Sequence, residues 1–440
     1  GVRREYFLKD GIPARGMAAA LVPGEIDAYA IALDRYGTMS FAEVLQPAIN
    51  YAEQLPVSER FSGTVKGHTP IFSMFPSSAK VFLSGGRPPE PGDIFVQRDL
   101  ARTLRMIAEG GRDAFYRGEI ARAIVRFSRE HGGFFEERDF SDYQAQLLDP
   151  IVTTYRGYTV YEHPLVSQGF IVLEAMNIVE GFDLPSIGHE TADGIHLLVE
   201  AVKVAFADRY RYVGDPDFVD VPIDNLLSKD YAAERRMGID RRQIGDDIPV
   251  GPAYERGGDT TYFIVADGEG NIVSVVQSLW NGFGAAVVPE GTGILLSNRM
   301  TDFSLKAGDP NCLAPGKMPV FTLNSFMVFK DGWPVFAGGT PGDYGQVQWN
   351  LQMISSVIDG GLGIREAVET PKWRYQGPDG LSIGDAVPED VRMSLATWGH
   401  RLMVSSGTGG GNLAIITVDP TSGMLTGIAD PRGDGCPIGW

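Results

Sequence analysis

Thr260 and Thr261 stand at the head of an apolar run, Tyr262-Phe263-Ile264-Val265-Ala266-Asp267. The stretch before them, Gly251 to Asp259, is loop-forming by its Gly, Pro and charge content. After them a turn at Asp267-Gly268-Glu269-Gly270-Asn271 leads to a second β-rich run, Ile272 to Gln277. The pattern predicts a loop feeding a hairpin. If the bond before Thr260 is cut, the new α-amine sits beside its own side-chain hydroxyl, and the two make a nucleophile-base unit. Thr-Thr pairs also enter strands because β-branched residues pack well on a pleated surface, so this element alone leaves both readings open.

Two other segments could carry chemistry. Gly338-Gly339-Thr340-Pro341-Gly342-Asp343 lies between a predicted strand and a predicted helix, where backbone N–H groups and the helix dipole can hold negative charge. It is either an oxyanion hole for acyl transfer or a plain strand-to-helix turn. Asn298 to Phe303 offers Arg299 and Asp302 behind an apolar run, as a site for a charged substrate or as a surface ion pair. The histidines, His68, His131, His163, His189, His196 and His400, show no metal-ligand spacing and are expected mostly at the surface or in loops. Arg432-Gly433-Asp434 reads as a turn.

The elements that must position these residues follow from periodicity. Helices are expected at Glu25 to Tyr36, Ser40 to Gln54, Gln97 to Glu109, Gly118 to His131, Thr191 to Tyr210 and Val347 to Ile358. Strands are expected at Ile151–Tyr155, Tyr158–Tyr161, Ile272–Gln277, Gly293–Ser297, Phe326–Phe329, Val335–Ala337 and Leu413–Val418. Helices early and strands late predict helices layered on sheets.

Composition narrows the function. Among 440 residues, 38 Lys+Arg against 56 Asp+Glu give a net charge of −18, which disfavours nucleic acid and anionic membranes and favours small-molecule chemistry. Hydrophobic residues at 43% supply a sizeable core, and 55 glycines, one residue in eight, indicate many tight turns. Cys312 and Cys436 are two free thiols or a single bridge, and no cofactor or metal motif is present. No apolar stretch is long enough to span a membrane, so a soluble chain, cytoplasmic or periplasmic, is expected. The start, Gly1-Val2-Arg3-Arg4-Glu5, is neither a signal peptide nor an initiator methionine and reads as a fragment or a processed product.

Taken in order, the residues resemble the γ-glutamyltransferase family of N-terminal nucleophile hydrolases. The likeness runs through Val22-Pro23-Gly24, Tyr155-Arg156-Gly157-Tyr158, Ala207-Asp208-Arg209, Gly214-Asp215-Pro216-Asp217-Phe218, Thr260-Thr261, Gly291-Thr292-Gly293, Pro315-Gly316-Lys317, Gly339-Thr340-Pro341-Gly342 and Asp430-Pro431-Arg432. The resemblance implies an α+β fold, a four-layer αββα sandwich. It also implies a precursor that cuts itself between Asp259 and Thr260 into a large-subunit region, 1–259, and a small-subunit region, 260–440, both in one domain. On this resemblance region 1–259 is expected to be truncated at its N-terminus relative to the family. In the implied roles Thr260 is the nucleophile, Ser278 the hydroxyl that supports it, and Gly342 with the Asp343 amide the oxyanion pair.

Where the family holds its glutamyl group this sequence departs. Tyr262 replaces a His, Trp280 an Asn, Arg299 a Gln or Glu that receives the substrate's amino group, Phe321-Thr322 a Ser-Ser pair, and Asp343 a Gly; Asp302 remains. A cation at Arg299 opposes a cationic α-amine and suits a carboxylate, while Trp280 and Phe321 make the pocket smaller and more apolar. The expectation is an amidohydrolase, without cofactor or metal, acting on a small carboxylate-bearing amide such as oxamate, which a branch of this family hydrolyses. The alternatives are a true glutathione hydrolase and an inactive or unprocessed scaffold.

Overall fold

The computed structural model describes residues 2–250, 258–406 and 410–440. The expected loop therefore lies outside the described residues from Gly251 to Gly257. Two compact units are present: Gly1–Leu147 with Leu279–Leu305 and Leu313–Gly316, and Leu148–Ser278 with Lys306–Cys312 and Lys317–Trp440. Neither coincides with 1–259 or 260–440.

The first unit is helical. Its helices α1 (Glu25–Tyr36), α2 (Phe41–Glu53), α3 (Glu59–Ser73), α4 (Pro76–Phe82), α5 (Arg98–Tyr116) and α6 (Glu119–Glu130) include every helix expected in this part of the chain. Ser40 closes a capping box with Glu43 and fixes the start of α2. α5 outruns its expected end because the chain turns through Gly111, at φ +59, before the last turns resume. Ile107, Phe115, Ile120, Ile124 and Phe140 form its main core, and the Phe72, Phe82 and Phe283 rings a second.

One expectation fails in this unit: Gly293–Ser297 is not a strand. Gly293 sits at φ +68, and a Cβ there would meet the Leu100 backbone N at 2.3 Å. The segment bonds instead to an irregular loop, Ala285 N–H donating to Leu296 O at 2.7 Å, and Phe283 and Ala286 in that loop also have positive φ. A ladder cannot form against a partner with that backbone.

The second unit is built on strands β1 (Ile151–Tyr155), β2 (Tyr158–Glu162), β3 (Gly258–Ala266), β4 (Ile272–Asn281), β5 (Ser325–Lys330), β6 (Trp333–Gly339), β7 (Ala414–Val418) and β8 (Leu425–Ala429), β4 passing its last residues to the first unit. Six make an antiparallel sheet in the order β8-β7-β6-β5-β2-β1, and β3 pairs with β4 separately. Helices α7 (Phe170–Val179) and α9 (Gln346–Ile358) pack on the sheet, and α8 (Ala192–Tyr212) packs on α7. Pleat alternation separates the faces: Gly338 meets Phe326 and Ile415, while Gly339 meets Tyr262 of the β3–β4 hairpin. Helix, sheet and hairpin thus stack in that order, in the expected α+β class.

Two of the histidines, His196 and His400, are buried, at 0% and 7% exposure. They pair across the core, Nδ1 of His196 lying 2.8 Å from Nε2 of His400. Among the described residues no helix is long and apolar enough to cross a membrane.

Candidate active site

β3 alternates as its pleat requires: Thr260, Tyr262 and Ile264 turn inward while Thr261, Phe263 and Val265 are exposed. Thr260 is therefore the inward hydroxyl of the pair. Its Oγ1 donates to Oγ of Ser278, on the neighbouring strand β4, at 3.0 Å. A hydroxyl acceptor at that distance fixes the rotamer of the Thr260 oxygen and aims its lone pairs.

The glycine-rich turn follows β6. Gly342 stands at φ +134 and Asp343 at φ +48, and α9 begins three residues later. Gly342 has no room for a side chain, because a Cβ would lie 2.2 Å from Cζ3 of Trp349. Thr340 holds the turn to the segment that leads into β7 by accepting from the Asn412 amide at 2.9 Å. Asp343 is only 9% exposed. Its carboxylate pairs with Arg374, and the nearby amides of Tyr344 and Gly345 favour its charged form. Burial pushes this carboxyl above the usual carboxylate range, and Arg374 opposes that push.

Phe321 is fastened by its backbone, its N–H donating to Val166 O at 3.2 Å and its carbonyl accepting from Gln168 N at 3.1 Å. Thr322 is wholly buried, and its carbonyl accepts from Asn324 Nδ2 at 2.9 Å.

In the first unit Trp280, Arg299 and Asp302 come together. Trp280, the last residue but one of β4, stands at φ +83, a backbone conformation that a bulky residue rarely adopts. The Arg299 guanidinium lies 4.5 Å from the centre of the Trp280 ring and its Nη1 donates to Asp302 Oδ2 at 2.9 Å. The pair is an ion pair, as one of the two sequence readings had it, but a buried one, with side-chain exposures of 8% and 1%.

Other residues of interest escape sequence reasoning. The Tyr262 hydroxyl bonds Ser274 Oγ at 2.9 Å, Ser274 donates to Ser325 Oγ at 2.9 Å, and His163 Nε2 lies 3.0 Å from the same Ser325 oxygen. Burial pushes His163 down to about 4 and the Tyr262 phenol up. Period-2 patterning could have placed Tyr262 on the inward face, but nothing local marks Ser325 or His163 as the continuation of its chain through Ser274. Arg374 is 31 residues from Asp343 in sequence.

One cluster has metal-ligand chemistry, His196, Glu200 and His400, with one potential ligand atom from each within 4.8 Å of the others. Its donors and acceptors are matched internally. His196 Nε2 bonds the Asp240 carbonyl at 2.9 Å, and Glu200 accepts from Lys203 at 3.0 Å and from the Gly245 amide at 2.9 Å. A cation here would displace the Lys203 ammonium, so the donor set fits a hydrogen-bonded core cluster.

Compared with known proteins, the chain matches the family model described as Gamma-glutamyltranspeptidase over residues 1–440. It is 38% identical over 448 residues to the glutathione hydrolase-like YwrD proenzyme of Bacillus subtilis (strain 168), covering 99% of this chain and 84% of that protein. It is also 38% identical over 426 residues to the Acylase ACY 1 proenzyme of Pseudomonas sp. (strain SE83), covering 96% and 75%. Among solved structures it resembles the cephalosporin acylase from Bacillus halodurans, with a TM-score of 0.90 and 35% identity over 97% of this chain and 80% of that one.

Proposed function

The chain belongs to the gamma-glutamyltranspeptidase family, and from that premise we propose that it cuts itself before Thr260 and then transfers an acyl group from a small carboxylate-bearing amide through that threonine. It is an amide hydrolase or acyltransferase with the αββα fold of N-terminal nucleophile hydrolases. The observation that carries the proposal is the Thr260–Ser278 hydrogen bond at the head of the hairpin.

In the proposed sequence the Thr260 hydroxyl attacks the Asp259 carbonyl, the acyl group passes from N to O, and water hydrolyses the ester. Asp259 leaves as a carboxylate, and Thr260 keeps a free amine whose ordinary pKa of about 7.7–8.0 suits a base near neutral pH. In turnover this amine takes the proton of Oγ1 as Oγ1 attacks the substrate carbonyl. The Gly342 and Asp343 amides face the developing oxyanion. The tetrahedral adduct collapses, the proton goes to the leaving amine, and the acyl ester is cleared by water or by an acceptor amine.

The substrate argument rests on Arg299. Asp302, which the resemblance assigns to a substrate ammonium, is bound to Arg299 instead, so recognition of an α-amino group is weakened at both charges. The Trp280 ring lies against the Arg299 guanidinium. This supports an amide with a carboxylate and no amino group, oxamate being the smallest example. The likeness to a cephalosporin acylase favours a second reading, a larger carboxylate-bearing amide. Comparing kcat/KM for oxamate, a glutaryl amide and a γ-glutamyl amide tests the proposal. It predicts that both amino-free amides exceed the γ-glutamyl amide; preference for the γ-glutamyl amide would refute it.

A further inference from the structure

We infer that Arg374 is a positioning residue of the reaction, holding Asp343 in the oxyanion turn and cancelling the negative charge that this aspartate brings beside the developing oxyanion. The inference rests on the reading of Gly342 and Asp343 as the oxyanion pair.

The problem it solves is visible in the turn. A residue whose amide stabilises an oxyanion also carries a side chain, and at position 343 that side chain is a carboxylate only 9% exposed. An uncompensated anion a few ångströms from a second, developing anion repels it strongly when water is excluded. A glycine there carries no such charge. The structure compensates in two ways. The Asp343 carboxylate turns toward the N-terminal amides of Tyr344 and Gly345, and it forms an ion pair with Arg374.

Arg374 is itself held for this task. It lies on a three-residue strand, Trp373–Tyr375, whose ends are bonded to α9: Tyr375 N–H donates to Gln348 Oε1 at 2.7 Å and Trp373 N–H to Gln352 Oε1 at 3.1 Å. The guanidinium lies 5.8 Å from the centre of the Trp349 ring. That indole also packs against Gly342 and Gly345, where a Cβ would come within 2.2 Å and 2.7 Å of it. One aromatic plate thus braces both the turn and the cation that neutralises it. Asp343 at φ +48 occupies the left-handed region, which Asp and Asn tolerate better than other side chains, so Asn can replace it without moving the backbone.

A charge role and a packing role predict different outcomes. The test is steady-state kinetics on Arg374→Ala, on Arg374→Gln, which keeps the aliphatic stem beside the Trp349 ring, and on each combined with Asp343→Asn. The expected result is a fall in kcat of about 10–100-fold for R374A and R374Q, the range set by loss of one electrostatic stabiliser, with KM changed less than about threefold. Adding D343N, which removes the uncompensated charge, then recovers at least roughly fivefold of the lost kcat. Wild-type kcat in R374Q, or equally low kcat in R374Q and D343N/R374Q, overturns the inference. Thr260→Ala separates the levels: if T260A remains active, the acyl-transfer reading itself fails, whereas an inactive T260A with an unaffected R374Q removes only the role of Arg374.

Discussion

The Tyr262 ring lies over the bare Cα of Gly339: a methyl group added there would stand 2.7 Å from Cε2 of that ring and 3.0 Å from Cβ of Ser325. Tyr262 is two residues beyond Thr260, the proposed nucleophile, and Gly339 three before Gly342, so this contact registers the Thr260 strand against the strand that delivers the proposed oxyanion turn.

Gly339→Ala is therefore expected to destabilise the fold by about 1–3 kcal/mol, the usual cost of overpacking a well-filled interior, and to slow self-cleavage. Urea unfolding midpoints and the rate of subunit appearance check it. A variant with both unchanged would mean that the hairpin tolerates displacement from the sheet. Tyr262→Phe keeps the ring and loses only its bond to Ser274, so its expected cost is smaller, about 0.5–1.5 kcal/mol.

Arg299 and Asp302 form a buried pair, and losing either partner weakens the compensation of the other's buried charge. Arg299→Gln and Asp302→Asn should each cost about 3–5 kcal/mol of stability, with the double variant costing clearly less than the sum. A double-mutant cycle in urea measures this directly. Additive losses would mean that the two charges do not act as a pair.

Much of this was legible in the sequence. The capping box at Ser40 and Glu43, the amphipathic stripes of α1, α2 and α6, and the turn at Asp267 to Asn271 are local signals, and each element stands where they put it. α7 was not legible because all ten of its residues are buried, which erases the 3.6-residue period that marks a helix. α3 was hidden by Gly63, Gly67 and Pro70, residues that break helices in isolation but not one held by Val65 and Phe72 in the core. In the candidate site, Thr260, Ser278 and the glycine-rich turn carry local or ordered signals. The partners of Asp343 and Ser274 do not, because Arg374 and Ser325 reach them only through folding.

His400 gives a pH signature. Burial, with help from His196 and Lys203, pushes its imidazole down to about 3, whereas in the unfolded chain it protonates near 6.5. Above about pH 6.5 it is neutral in both states and contributes no pH dependence. Below that, the unfolded state gains a proton that the folded state refuses, so stability falls as pH falls, by about 1.4 kcal/mol per pH unit. Between about pH 7.5 and 5 the wild type should lose roughly 2 kcal/mol more than His400→Gln does. Equal losses in the two proteins would show that His400 protonates in the folded state as easily as in the unfolded one.

The central claim is that Thr260 is a nucleophile that first frees itself and then turns over substrate. Intact-mass spectrometry of the denatured protein and of Thr260→Ala, with amide hydrolysis measured on the same samples, tests it most directly. The account predicts two fragments meeting at the Asp259–Thr260 junction and measurable turnover for the native sequence, and one uncut, inactive chain for T260A. A cleaved or active T260A protein would contradict it.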